Sequence, residues 1–183
     1  MKGYSARDLG LLAAALALFL DQASKLLLLY GFHFINMGPG EHLAVLPFFD
    51  LVMEWNSGVS FGMFAAHTAF DRAVLVLVAL AAVIGLGWWL WQARRTAFAV
   101  GLGLVIGGAI GNNLIDRLIY GKVADFFHFF AFGYDWYVFN IADCAITLGV
   151  GALLYDALLR PDTDRPAESS HTNAKKPGAG HHG

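Results

Sequence analysis

The sequence predicts an all-α membrane bundle: four transmembrane helices with a small outer β-rich subdomain on the 31–72 segment, and both termini cytoplasmic. Three observations carry this. Hydrophobic residues make up 57% of the 183 and charged residues 14%, against about 25% charged in an ordinary soluble domain. Four stretches approach the roughly 20 apolar residues that cross a bilayer. Between the first two lies an interval too long for a turn, with short extended runs and glycines. A net charge of −2 gives no reason to expect a nucleic-acid partner. Cys144 is the single cysteine, which excludes an intrachain disulfide and a multi-cysteine metal site.

The first span runs from about Leu9 to Tyr30. Lys2 and Arg7 ahead of an alanine/leucine run imitate a signal peptide. However, Asp21-Gln22-Ala23-Ser24-Lys25 interrupts that run, no A-x-A cleavage pattern is evident at its end and three spans follow, so a retained helix is expected. In 31–72, His42 to Met53 reads as short extended runs, and Asn56-Ser57-Gly58-Val59-Ser60-Phe61-Gly62 reads as turn chemistry. The second span covers 73–91 and the third 97–119. Gly101, Gly103, Gly107, Gly108 and Gly111 in the third suit close helix packing. A short outer loop, 120–136, precedes the fourth span at 137–159. Residues 1–160 thus form one transmembrane domain, and the Pro-, Ser- and Gly-containing stretch 161–183 is a disordered tail. His181 and His182 at its end receive no role.

Basic residues orient the bundle. Lys2 and Arg7, Arg94 and Arg95, and Arg160 and Arg165 flank the spans on one side, which the positive-inside rule makes cytoplasmic. Trp88, Trp89 and Trp91 then form an aromatic belt at the inner surface, and 31–72 and 120–136 face outward.

The polar residues converge on that outer level. Asn113 and Asp116 reach the outer end of the third helix, and Asp143 lies roughly 10 Å below the start of the fourth. Asp21 and Lys25, four apart on one face of the first helix, sit in its outer half, and Asp125 sits in the outer loop. Asn113/Asp116 and Asn140/Asp143 both have the N-x-x-D form. Carboxylates in or near a bilayer are costly, and each is a functional-site hypothesis. Two close carboxyl groups cannot both ionise cheaply, so one holds a proton while the other acts as base on a shared water. That chemistry attacks a peptide carbonyl with no metal, cofactor or side-chain nucleophile. Sequence alone leaves the partner of Asp143 open between Asp116 and Asp125, although depth and the repeated N-x-x-D form favour Asp116.

Asp21-Gln-Ala-Ser-Lys25, Asn56-Ser-Gly-Val-Ser-Phe-Gly62, Asn113-Leu-Ile-Asp-Arg117, Val123-Ala-Asp125-Phe126 and Phe139-Asn-Ile-Ala-Asp143 stand in an order that resembles the lipoprotein signal peptidases (signal peptidase II). The resemblance runs from the first helix to the fourth. It implies a multi-pass aspartyl peptidase of the bacterial cytoplasmic membrane, with its site at the outer face. Its substrate would be a prolipoprotein cut just before a diacylglyceryl-modified cysteine, with membrane lipids around it and the enzyme working as a monomer. It assigns the catalytic pair to Asp125 and Asp143. Asn56, Gly58, Asn113, Asn140, Asp116, Arg117, Asp21 and Lys25 become substrate-binding or supporting residues, Arg117 reaching backbone carbonyls or substrate. The family's Gly-Asn is here Gly111-Asn112-Asn113. Anchoring on Asp116 gives Asn113 the asparagine role, whereas absorbing the extra residue as a bulge gives it to Asn112.

Blander readings stand beside these. Asp21 with Lys25 also fits a helix-stabilising ion pair, and Asn56 with Gly58 and Gly62 a plain turn. Cys144 with His128 as base suggests a thiol protease, but Cys144 points about 100° away from Asp143 on a helix. The seven histidines show no ligand spacing, so no metal is expected. The competing function is a small transporter or channel using the Asp/Asn cluster. Against it, the inner half of the bundle carries no acidic chain linking the two faces.

Overall fold

The computed structural model describes residues 3–38, 40–58 and 68–158. Four helices are long and apolar enough to cross a membrane: α1 (Ala6–Gly31), α2 (Ala69–Trp91), α3 (Thr96–Ile119) and α4 (Ile141–Leu158). Two starts follow capping boxes rather than hydropathy. Ser5 with Asp8 and Thr68 with Asp71 exchange side-chain and backbone bonds, which satisfies N–H groups that a helix start leaves open. Helix α2 therefore begins before Asp71 and Arg72, four residues ahead of the expected boundary. The expected tail at 161–183 and positions 59–62 of the glycine-punctuated run lie outside the described residues.

Helix α3 is the centre of the bundle because it has almost no side chains where its neighbours cross. A Cβ added at Gly103 or Gly107 would run into the backbone carbonyls of Gly10 and Ala14 on α1. One at Gly101 or Gly108 would meet those of Gly149 and Ala142 on α4. Backbones in that contact gain dispersion where lipid offers no hydrophobic drive. Helix α2 lies outside this trio, with much of its surface exposed.

Two helices end in wider turns. Leu27–Gly31 closes α1, and Ile110–Asp116 interrupts α3 as a π-helical stretch before Arg117–Ile119 resumes α geometry. Such π-bulges commonly mark functional sites.

Among the described residues, the segments beyond the helix ends form a four-stranded antiparallel sheet in the order β1-β2-β3-β4: His42–Leu46, Phe49–Asn56, Val123–Ala131 and Tyr134–Asp135. Half of it comes from 120–136, where the sequence predicts only a short loop. The run Val123 to Ala131 lacks the apolar/polar alternation that marks a half-exposed strand, because its first four residues, Asp125 included, are buried on both faces. Leu28, Leu29, Phe34, Ala124 and Phe126 form the core that fastens the sheet to the C-terminal end of α1. Phe127 and Phe139 bridge antiparallel, with N···O distances of 2.8 and 3.1 Å. That bridge ties β3 to the residue just before α4. The fourth span accordingly starts at Ile141, not Tyr137, and Asp143 stands in its first turn rather than two turns down.

Candidate active site

Four elements deliver the polar side chains to one place, and the fit begins at the entrance to α4. Asn140 precedes the helix. Its Oδ1 accepts from the Asp143 N–H (3.0 Å), and its own N–H donates to Asp143 Oδ2 (3.1 Å). The second N-x-x-D run is thus a capping box written with Asn and Asp. It holds the Asp143 carboxylate at the positive end of the helix dipole.

The Asn140 amide also reaches β3. Its Nδ2 donates to Asp125 Oδ1 at 2.6 Å and lies 3.3 Å from the Ala124 carbonyl. Asp125 is therefore a buried strand residue, 2% exposed, and not the solvated loop acid that its position in a short connection suggested. Its other oxygen accepts from Asn56 Nδ2 (3.2 Å), on the strand paired with β3. Burial first, and the nearby Asp143 carboxylate second, together raise its pKa to about 7 against smaller opposing contributions from Asn56, Lys25 and Asn140. The 125 and 143 carboxyls meet across one shared residue, and among the described residues their direct hydrogen-bond donors are neutral.

Asp116 belongs to a different cluster. The Lys25 ammonium has three protons and three acceptors: Asp21 Oδ2 (2.8 Å), Asp116 Oδ2 (2.8 Å) and Asn112 Oδ1 (2.6 Å). Gln22 Nε2 spans the same two carboxylates at 3.0 and 3.1 Å. Asp21 Oδ1 accepts from the Ala142 N–H at 3.0 Å, and Asp116 Oδ2 from the Ala124 N–H at 3.3 Å. Asp21, Lys25 and Asp116 are all nearly inaccessible. Among the described residues no buried side-chain nitrogen or oxygen lacks a partner.

The π-helical stretch decides between the two asparagines. In the wider turn, residues four apart share a face and residues three apart do not. Asn112 and Asp116 therefore both meet Lys25, and Asn112 Nδ2 goes on to Asp143 Oδ1 at 3.0 Å. Asn113, to which anchoring the motif on Asp116 pointed, turns aside and accepts from Arg117 Nε at 3.3 Å. Gly111 leaves room for Asp21, whose Oδ2 would lie 2.5 Å from a Cβ placed there.

Arg117 secures the roof. Its guanidinium donates to the Ser57 carbonyl (3.3 Å) and the Gly58 carbonyl (2.5 Å), which fixes the turn that aims Asn56 at Asp125. Asn56 Oδ1 accepts from the Gly58 N–H in the same turn. The structure thus gathers Asp21, Lys25, Asn56, Gly58, Asp116, Arg117, Asp125, Asn140 and Asp143, and leaves Asn113 at the edge. Two participants went unread. Gln22 had one signal, a polar residue beside Asp21 in an apolar run. The Ala142 N–H had none. Cys144 is exposed, and His128 faces Asp135 at 3.6 Å, so nothing assembles a thiol site.

Comparison with known proteins follows the same outline. A family model described as signal peptidase (SPase) II matches residues 13–159. A lipoprotein signal peptidase of Rhodopseudomonas palustris (strain TIE-1) is 49% identical over 155 residues, covering 82% of this chain and 92% of its own. One from Beijerinckia indica subsp. indica is 45% identical over 166 residues, covering 91% and 97%. A bacterial membrane enzyme solved by the in meso method at 2.3 Å resolution superposes with a TM-score of 0.72 at 26% identity, covering 87% of this chain and 93% of that one.

Proposed function

The chain belongs to the signal peptidase II family and is an aspartic-type peptidase, and from that premise we propose that Asp125 and Asp143 activate one water to cut the signal peptide from prolipoproteins. The cut falls before a diacylglyceryl-modified cysteine. The observation that carries this reading is the buried Asp125 carboxyl, lifted to about 7 and joined to Asp143 through Asn140 by neutral amides alone.

In the first step Asp143, as carboxylate, takes a proton from water while the water oxygen bonds to the scissile carbonyl carbon. Asp125, protonated, gives its proton to the carbonyl oxygen, and a neutral gem-diol forms. As the C–N bond breaks, Asp143 returns its proton to the departing cysteine nitrogen, and Asp125 recovers one from a diol hydroxyl. One water is consumed and both carboxyls end as they began. Neutral donors suit this exchange, because a bound cation would hold both groups ionised.

The site lies at the outer ends of the spans, at the depth a lipid-anchored cleavage point reaches. In this reading the enzyme is a monomer of the bacterial inner membrane with cytoplasmic termini. The precursor enters sideways from the bilayer, and the β1–β2 hairpin closes above it to exclude bulk water. A transport path finds no room, since glycine contacts bring α1, α3 and α4 together below the polar cluster. The test is processing of a lipidated precursor by Asp125→Asn and Asp143→Asn proteins that still accumulate in membranes. Uncut precursor is expected in both, and normal processing in either rejects the pair.

A further inference from the structure

At the end of the bundle opposite the aspartates, a cavity of about 620 Å³ opens between α2, α3 and α4. Its walls are apolar: Trp89 at the end of α2, Phe98 at the start of α3, and Val150, Leu153 and Leu154 on α4. Trp89 and Phe98 meet edge to face with centroids 5.3 Å apart, which stiffens one side. Its rim is polar, with Gln92, Arg94, Arg95 and Asp156. Arg95 is already paired, Nη1 lying 3.0 Å from Asp156 Oδ2. Arg94 is exposed and has no carboxylate partner among the described residues. With the Asp156 charge counted, the rim remains positive.

We propose that this cavity holds an anionic phospholipid from the leaflet opposite the aspartate site, its phosphate at Arg94 and an acyl chain against Phe98, Leu153 and Leu154. The exposed Trp88, Trp89 and Trp91 rings mark the level where headgroups give way to hydrocarbon. A groove apolar along its length and cationic at that level matches a molecule with a hydrocarbon tail and a negative head. Basic pockets between membrane helices bind such heads. A precursor's signal peptide is a poor occupant, because its cationic leading region would face Arg94, Arg95 and Arg7, the last stacked 4.3 Å over the Trp91 ring. A free phosphate would leave the apolar wall uncovered.

The test is native mass spectrometry of the full-length protein released from micelles holding equal phosphatidylglycerol and phosphatidylcholine. Retention of phosphatidylglycerol should exceed that of phosphatidylcholine about fivefold, the worth of one cation near an anionic head. Arg94→Gln should bring the two to parity and Arg94→Lys should keep the preference. Unaltered precursor cleavage in both variants checks that they fold. Equal retention by the native protein, or a preference that survives Arg94→Gln, overturns the proposal. So does displacement of the lipid by glycerol phosphate, or equal retention of a short-chain lipid with the same head.

Discussion

Two pairs of aspartates lie side by side at the sheet end of the helix bundle, and they differ in what faces them. Asp21 and Asp116 share the Lys25 ammonium, with all three of its protons used. Among the described residues, Asp125 and Asp143 receive only amides. A fixed cation settles where charge resides and makes its pair a brace between α1 and α3. Amides leave the proton free to move between the two carboxyls, and that freedom is what acid–base chemistry needs. Asn112 joins the clusters, accepting from Lys25 and donating to Asp143, so the brace also aims the reactive pair.

Substitutions should separate the two pairs. The largest effect is expected at the amide-held one: Asp125→Asn or Asp143→Asn lowers precursor cleavage by about 10³-fold or more, measured with purified enzyme in micelles. Asp116→Asn keeps most of the brace and should cost less than tenfold, so equal losses at 116 and 125 would erase the distinction. Removing the cation acts on stability instead. Lys25→Met strands two buried carboxylates and should destabilise by about 3–5 kcal/mol, read as lost accumulation or an early thermal transition. Adding Asp21→Asn and Asp116→Asn to that variant should recover much of the loss.

Titration sharpens the contrast further. The folded protein holds the Asp125 proton up to about 7, whereas the unfolded chain releases it near pH 4. Between those values the folded state binds more protons, so stability falls as pH rises. Asp125→Asn is free of that penalty. Its stability relative to the native enzyme should grow by a few kcal/mol from about pH 4 to about pH 8, in parallel thermal melts at each pH. The smallest effect is expected from packing. Gly108→Ala presses on the Ala142 carbonyl and should cost about 1–3 kcal/mol, with cleavage reduced because α4 carries Asp143.

The four spans were legible because apolar length is a strong signal, and the close-packing role of the α3 glycines because small residues mean little else there. The sheet was half legible. Its first hairpin has turn residues around it, but β3 is buried on both faces near its start and reads as a loop between two helices. Asp21 and Lys25 could be paired from their spacing, yet the reach of Lys25 across to Asp116 is a tertiary contact that no local pattern encodes. Anchoring the motif on Asp116 pointed to Asn113, whereas the π-helical stretch absorbs the extra residue and turns Asn112 toward Lys25 and Asp143. The second N-x-x-D run was read as a site when it is first a helix cap, and the two roles share the same atoms.

Infrared difference spectroscopy of the protonated carboxyl band, recorded from about pH 5 to about pH 8, tests the shared proton most directly. One carboxyl should lose its proton near 7 in the native enzyme and in Asp116→Asn, and the band should vanish in Asp125→Asn. No carboxyl titrating in that range, or a band removed by Asp116→Asn and kept in Asp125→Asn, would contradict the account.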